Sequence, residues 1–145
     1  MNIKHIVTGL LLSVAISVQA QHEQGVDTLP FKGYLVNEEH NVYMRINFYD
    51  NDVVISWQEI FGSLPGFLAK DGTTYCWIVT ETDINGNVAR MEMVNDYGSE
   101  DLSATLTHEG DSIYTLRQES GSSLKVPVNR KWSKLPKIMR FVRKK

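Results

Sequence analysis

Cysteine is almost absent. Cys76 is the single one in 145 residues, so no intramolecular disulfide can form and the fold must be held by packing alone. Histidine is scarce too, at four. His22, His40 and His108 sit beside charged or polar turn residues, with no pair at metal-ligand spacing. No Ser-His-Asp order and no glycine-rich phosphate loop is present, which leaves an enzyme the least supported class and gives no reason to expect a cofactor. Beyond the N-terminus no apolar run is long enough to cross a bilayer, and no window carries a sustained helical period. Acidic residues stop at Glu119. From Ser120 onward there are nine lysines and arginines and no acid, a net of +9, whereas from Glu23 to Glu119 seventeen acids stand against Lys32, Arg45, Lys70, Arg90 and Arg117, a net of −12.

The first residues, "MNIKHIVTGLLLSVAISVQA", combine a lysine near the start, an apolar run from Ile6 to Val18 and a Val-Gln-Ala site before Gln21. That is the pattern of a secretory signal peptide over residues 1–20. No cysteine follows the cleavage point, so a lipoprotein is not expected. The expectation is a soluble periplasmic or secreted protein with a mature net charge of −3, a flexible N-terminus over 21–30 and a single domain over 31–145 with a basic C-terminal end.

Within that domain the chain is a succession of period-two runs. Phe31, Gly33 and Leu35 alternate with Lys32, Tyr34 and Val36; Val42, Met44, Ile46 and Phe48 alternate with Tyr43, Arg45 and Asn47. "VVISW" follows the turn "YDND". The runs 75–82 and 88–94 flank "DINGN", where Asn85-Gly86 suits a type I′ hairpin turn. Leu102, Ala104 and Leu106 alternate with hydroxyl residues, Ile113 to Gln118 follows, then Leu124, Val126 and Val128, and finally Ile138 to Arg143. These runs predict an all-β fold: a single antiparallel meander of about 8–10 strands. A lipocalin-like barrel is favoured over a β-sandwich because nearly every connection reads as a neighbour-to-neighbour hairpin, and closure removes exposed strand edges. "FKGYLV" departs from the glycine-x-tryptophan opening of true lipocalins by placing tyrosine there.

Two connections are unusual. "NDYGSED" places Asp96, Glu100 and Asp101 around one glycine. Hard oxygen ligands could hold calcium, but the spacing is not that of an EF-hand loop and the residue types are those of a turn, so no metal is expected. "EIFGSLPGFLA", Glu59 to Ala69, holds more large apolar groups than a solvated loop needs, and is predicted to plug one end of the barrel rather than expose an apolar knob.

The basic end interleaves aromatics and cations, and its candidate partner-binding residues are Arg130, Lys131, Trp132, Lys134, Lys137 and Arg140. In an exported chain the anions to be met are glycans, phosphates and acidic proteins rather than nucleic acid. The alternative is that these cations pair with the domain's own carboxylates. A barrel mouth would offer Tyr43, Tyr49, Trp57, Tyr75 and Trp77 as candidate ligand-lining groups, although aromatics at period two more often belong to a core. Cys76 alternates with Tyr75 and Trp77 and reads as a small core residue. The function expected is therefore a non-catalytic binding protein that recognises a macromolecular partner outside the cytoplasm, such as an inhibitor or immunity-like module; the alternative is a small-ligand or glycan binder using a barrel mouth.

The phrases "GYLVNEEHNVYMRINFYDND", "VNDYGSEDLSATLTHEGDSIYTLRQ" and "NRKWSKLPK" resemble those of small exported β-rich proteins of Gram-negative gut-type anaerobes. The resemblance implies an exported, mostly β domain and carries no activity, cofactor or site residue with it.

Overall fold

The computed structural model describes residues 29–145, and the expected signal peptide lies outside them. The expected meander closes as a lipocalin-like barrel, not a sandwich. Its eight staves are β1 (Lys32–Asn37), β2 (Val42–Asn47), β5 (Gly66–Lys70), β6 (Cys76–Asn85), β7 (Val88–Asn95), β8 (Asp101–Gly110), β9 (Ile113–Gly121) and β12 (Ile138–Lys144), each antiparallel to its neighbours, with β12 completing the ring against β1. Two excursions leave the wall. Between β2 and β5 run β3 (Val53–Val54), a single 3-10 turn (Glu59–Phe61) and β4 (Ser63–Leu64); between β9 and β12 a ribbon forms from β10 (Lys125–Val128) and β11 (Lys131–Lys134). No helix among the described residues is long and apolar enough to cross a membrane.

Alternation does what it was expected to do on the strands with one wet face. Leu35, Met44, Met91, Met93, Leu106, Tyr114, Leu116 and Phe141 point inward and are fully buried, as is Trp77. Each such burial stabilises by roughly 1.5–3 kcal/mol, and together they fill the lumen. One end is closed by Phe31 stacked on Phe48, with ring centroids 5.8 Å apart, and the Tyr114 hydroxyl there donates to the Pro30 carbonyl.

The other end is closed by a segment different from the one expected. Glu59–Ala69 is not a plug. Its second half is the stave β5, which puts Leu68 into the lumen and Phe67 and Ala69 on the outside, while Ile60 in the 3-10 turn is 90 % exposed. "VVISW" likewise shrinks to the two paired residues of β3, and Ile55 beyond it packs over the outer face of the barrel with Phe67, Ala69, Cys76 and Ile78. The excursion is thus a second, external layer. Gly66 marks its return: a Cβ there would lie 2.5 Å from the Arg45 carbonyl oxygen, so β5 docks on β2 at a distance only glycine permits. The actual plug is the segment carrying the ribbon, whose Leu124, Val126 and Leu135 join the lumen core.

Turn chemistry also differs in detail. In the hairpin after β6 the central pair is Gly86-Asn87, not Asn85-Gly86, because Asn85 pairs with Val88. Gly86 has φ 62 and Asn87 is not at positive φ, the pattern of a type II′ turn with glycine first. The type I′ pattern occurs instead between β10 and β11, where Asn129 (φ 50) and Arg130 (φ 64) are both left-handed. Replacing Gly86 with valine should destabilise the barrel by about 1–2 kcal/mol, the left-handed penalty of a residue with a Cβ. Arg130→Gly should stabilise it by a few tenths to about 1 kcal/mol by relieving the same penalty. Urea unfolding of both variants checks the assignment, and a neutral Gly86→Val would refute it.

Candidate functional site

Antiparallel staves put alternate connections at the same end, so the 38–41, 71–75 and 96–100 turns share the end on which the β10–β11 ribbon sits. The ribbon is pinned from below and from the side. Trp77, deep in the lumen, donates its indole N–H to the Lys125 carbonyl at 2.9 Å; Leu135 N–H donates to Leu124 O at 2.8 Å; Leu124 N–H donates to Gln118 Oε1 at 2.8 Å. These bonds place Trp132 against Tyr75, with centroids 4.7 Å apart at 65°. Tyr75 is only 6 % exposed and also touches Tyr97, at 5.7 Å. Tyr97 is 73 % exposed and Trp132 55 % exposed, so a buried ring carries two outward ones.

Below them, "NDYGSED" is a turn organised by one side chain. Asn95, nearly fully buried, accepts from the Ser99 and Glu100 N–H groups at 2.9 and 3.1 Å and donates to Ser99 Oγ at 3.0 Å. Glu100 Oε1 then meets Lys125 Nζ of the ribbon at 2.9 Å. The turn and the ribbon thus face each other across a cavity of about 230 Å3, with the three rings on one part of its lining and Asn95, Ser99 and the Glu100–Lys125 pair on the rest. Asp96, Glu100 and Asp101 do not converge: Glu100 is paired, Asp101 is exposed on β8, and one Asp96 oxygen is buried. Among the described residues no group of three or more His, Cys, Asp or Glu side chains is placed to hold a metal.

The candidate partner-binding residues Arg130, Lys131, Trp132, Lys134, Lys137 and Arg140 are all exposed, on the ribbon, on the segment after it and on β12. None of the five cations forms an ion pair among the described residues; the pairs that form are Lys125–Glu100, Lys144–Glu38 and His40–Glu39. Ion pairs with carboxylates of the described residues therefore do not account for them, although Arg140 lines a cavity together with Glu38 and Glu39. The candidate ligand-lining residues are scattered. Only Tyr75 reaches the cleft. Trp77 is core; Tyr43 and Trp57 belong to the external layer, where the Trp57 indole donates to Thr74 O at 2.7 Å; Tyr49 is near the opposite end, accepting from Phe31 N–H at 3.2 Å. The set fails as a mouth because the mouth is plugged and because Tyr43 and Trp57 point out of the barrel. Tyr97, Asn95, Ser99 and Lys125 were not singled out by sequence; an aromatic held at the tip of an Asx-type turn was the available signal for Tyr97.

Two groups shifted by burial, Cys76 and the partly buried Asp96, flank the site. Burial, reinforced by Asp96, pushes the Cys76 thiol up to about 12. The same burial raises the Asp96 carboxyl above its ordinary 3.8, outweighing the backbone N–H groups of Cys76, Asp96 itself and Tyr97. One Asp96 oxygen has no hydrogen-bond partner among the described residues.

Cys76 should therefore resist thiol reagents at pH 8 in the native protein and react at once in guanidinium, which a colorimetric thiol assay reads directly. For Asp96 the native pKa lies above the unfolded one, so the cost of the charged form is absent below pH 3.8 and full once the pH exceeds the raised native value. Asp96→Asn should consequently raise Tm at neutral pH, with an advantage that shrinks as the pH falls toward 4 in thermal melts. An advantage that is constant with pH would contradict this account.

No protein-family model, no curated protein and no solved structure matches the chain, so its function has to be argued from the residues at this end of the barrel.

Proposed function

We propose that the protein is an exported, non-catalytic binding protein that engages an anionic macromolecule outside the cytoplasm with the ribbon-bearing end of its barrel. The observation that carries this is the set of exposed cations Arg130, Lys131, Lys134, Lys137 and Arg140, none in an ion pair within the described residues, with Arg130, Lys131 and Lys134 on the ribbon that carries the exposed Trp132. Holding like charges together without counter-charges costs stability, and a binding surface is a reason to keep them. Complementary charge steers an anionic partner over about 10 Å at 0.1 M salt, and a central aromatic supplies the desolvated contact that fixes it. A carrier of small molecules in the lumen is disfavoured because side chains fill that space.

Between partner classes, the aromatic and polar cleft beside the cations favours a glycan over an acidic protein bound by an inhibitor or immunity-like module. Despite its mature net charge of −3, the exported protein should be retained on immobilised heparin at low salt and released at high salt. The triple variant Lys131→Glu/Lys134→Glu/Lys137→Glu should flow through while keeping its melting temperature within a few degrees, since all three side chains are exposed. Flow-through of the unaltered protein at low salt would count against a polyanion-binding end. A pull-down from periplasmic and culture fractions run beside a glycan array separates a protein partner from a glycan.

A further inference from the structure

We propose that the cleft between Tyr97 and Trp132 is a subsite for one sugar ring of a glycan, specifically a pyranose carrying an acidic substituent; this rests on the polyanion-binding reading above. The two rings each lean on Tyr75, and no ring contact between them is formed among the described residues. Tyr75 is the buried floor, and Tyr97 and Trp132 are exposed walls. Such walls offer flat apolar faces to the C–H faces of a sugar, burying surface that is costly to leave in water.

The polar inventory of the cleft is suited to hydroxyl groups. The Trp132 indole N–H and the Tyr97 hydroxyl have no partner among the described residues, in contrast to the indoles of Trp57 and Trp77, which both donate to carbonyls. Ser99 Oγ already accepts from Asn95 Nδ2, so its own proton is left to donate. Glu100 uses Oε1 on Lys125 and keeps Oε2 for a hydroxyl. The cleft thus offers both donors and acceptors, as hydroxyls that both give and take hydrogen bonds require.

Size and charge narrow the class. At about 230 Å3 the cavity is smaller than the roughly 300–1,000 Å3 of sites that enclose a whole small molecule, which suits one ring of a chain whose remainder runs out over the surface. The strand register says which cation it meets. Lys125 pairs with Lys134 and Pro127 with Trp132, and alternate residues of a ribbon share a side, so Trp132, Lys134 and Lys125 face the same way. Lys125 is neutralised by Glu100, whereas Lys134 forms no ion pair among the described residues. A carboxylate or sulfate on a ring stacked against Trp132 therefore meets Lys134, which stands on the same side of the ribbon.

The experiment is a 15N–1H NMR titration of the exported protein with tetragalacturonate and, separately, neutral galactotetraose, following the Trp132 indole and Tyr97 amide signals. Both signals should shift with the acidic sugar, with affinity at least about tenfold weaker for the neutral one. Trp132→Ala and Tyr97→Ala should each weaken binding by at least about tenfold, as truncation of a central aromatic does, with the rest of the spectrum unchanged. Lys134→Gln should remove the preference for acid while sparing the stacked contact. Equal affinity for the two sugars would overturn the acidic substituent, and shifts that survive in both aromatic variants would overturn the cleft as the site. If the protein is retained on heparin through its lysines but neither sugar moves the Trp132 signal, the subsite is wrong and the polyanion-binding reading stands; if heparin retention also fails, both fall.

Discussion

Trp77 and its single polar atom hold this architecture together. It is the largest side chain that is completely buried, and an indole N–H sealed in an apolar lumen without a partner would cost on the order of 1–3 kcal/mol. The partner lies outside the barrel wall: the carbonyl of Lys125, at 2.9 Å, on the excursion between β9 and β12. Satisfying the core therefore fastens the ribbon over the end of the barrel. With Lys125 fixed, its side chain reaches Glu100, its cross-strand neighbours place Trp132 on Tyr75, and the lumen is closed by Leu124, Val126 and Leu135. One hydrogen bond links packing, closure and the aromatic cleft.

The two excursions solve different problems with the same device. A closed barrel has no free edges, but it has two open ends and an outer face, and eight short staves leave apolar surface on each. The excursion between β2 and β5 covers the outer face, burying Ile55, Phe67, Ala69, Cys76 and Ile78 as a second cluster. That layer is why Cys76 sits in a low-dielectric environment although it belongs to a barrel with a thin wall. The excursion between β9 and β12 covers an end, and as it uses Leu124, Val126, Leu135 and the partly buried Val128 for the purpose, its outer strand is left free to carry charge.

How much was legible follows from how many faces each segment buries. Strands with one wet face, such as β7 and β8, alternate cleanly, and their inward residues were readable directly. β5 and the start of β6 are covered on both sides. "GFLA" and "CWIV" are buried at every position, so they lose the period of two, and β5 was read as part of an apolar loop. The same loss explains the misplaced plug, because continuous hydrophobicity says that a segment is buried but not against what. Of the cleft, Trp132 and Tyr75 were each singled out for separate roles; their contact depends on a fold-back of the ribbon over some fifty residues of intervening chain that no local pattern encodes.

Charge segregation in the sequence acquires a spatial meaning only when closure is considered. The last stave, β12, must pair with both β1 and β9 to seal the barrel, and it brings the cationic end of the chain between two strands that are themselves lightly charged on their outer faces. Lys144 finds Glu38, but Arg140 faces outward beside Ile138 with no carboxylate within ion-pair distance among the described residues. The β10–β11 ribbon is one step further removed, paired only with itself. Residues there contribute little to closing the barrel beyond their inward apolar groups, so their outward identities are free of the packing constraint. The lysines and the exposed tryptophan on such a ribbon are therefore not accounted for by what lies beneath it.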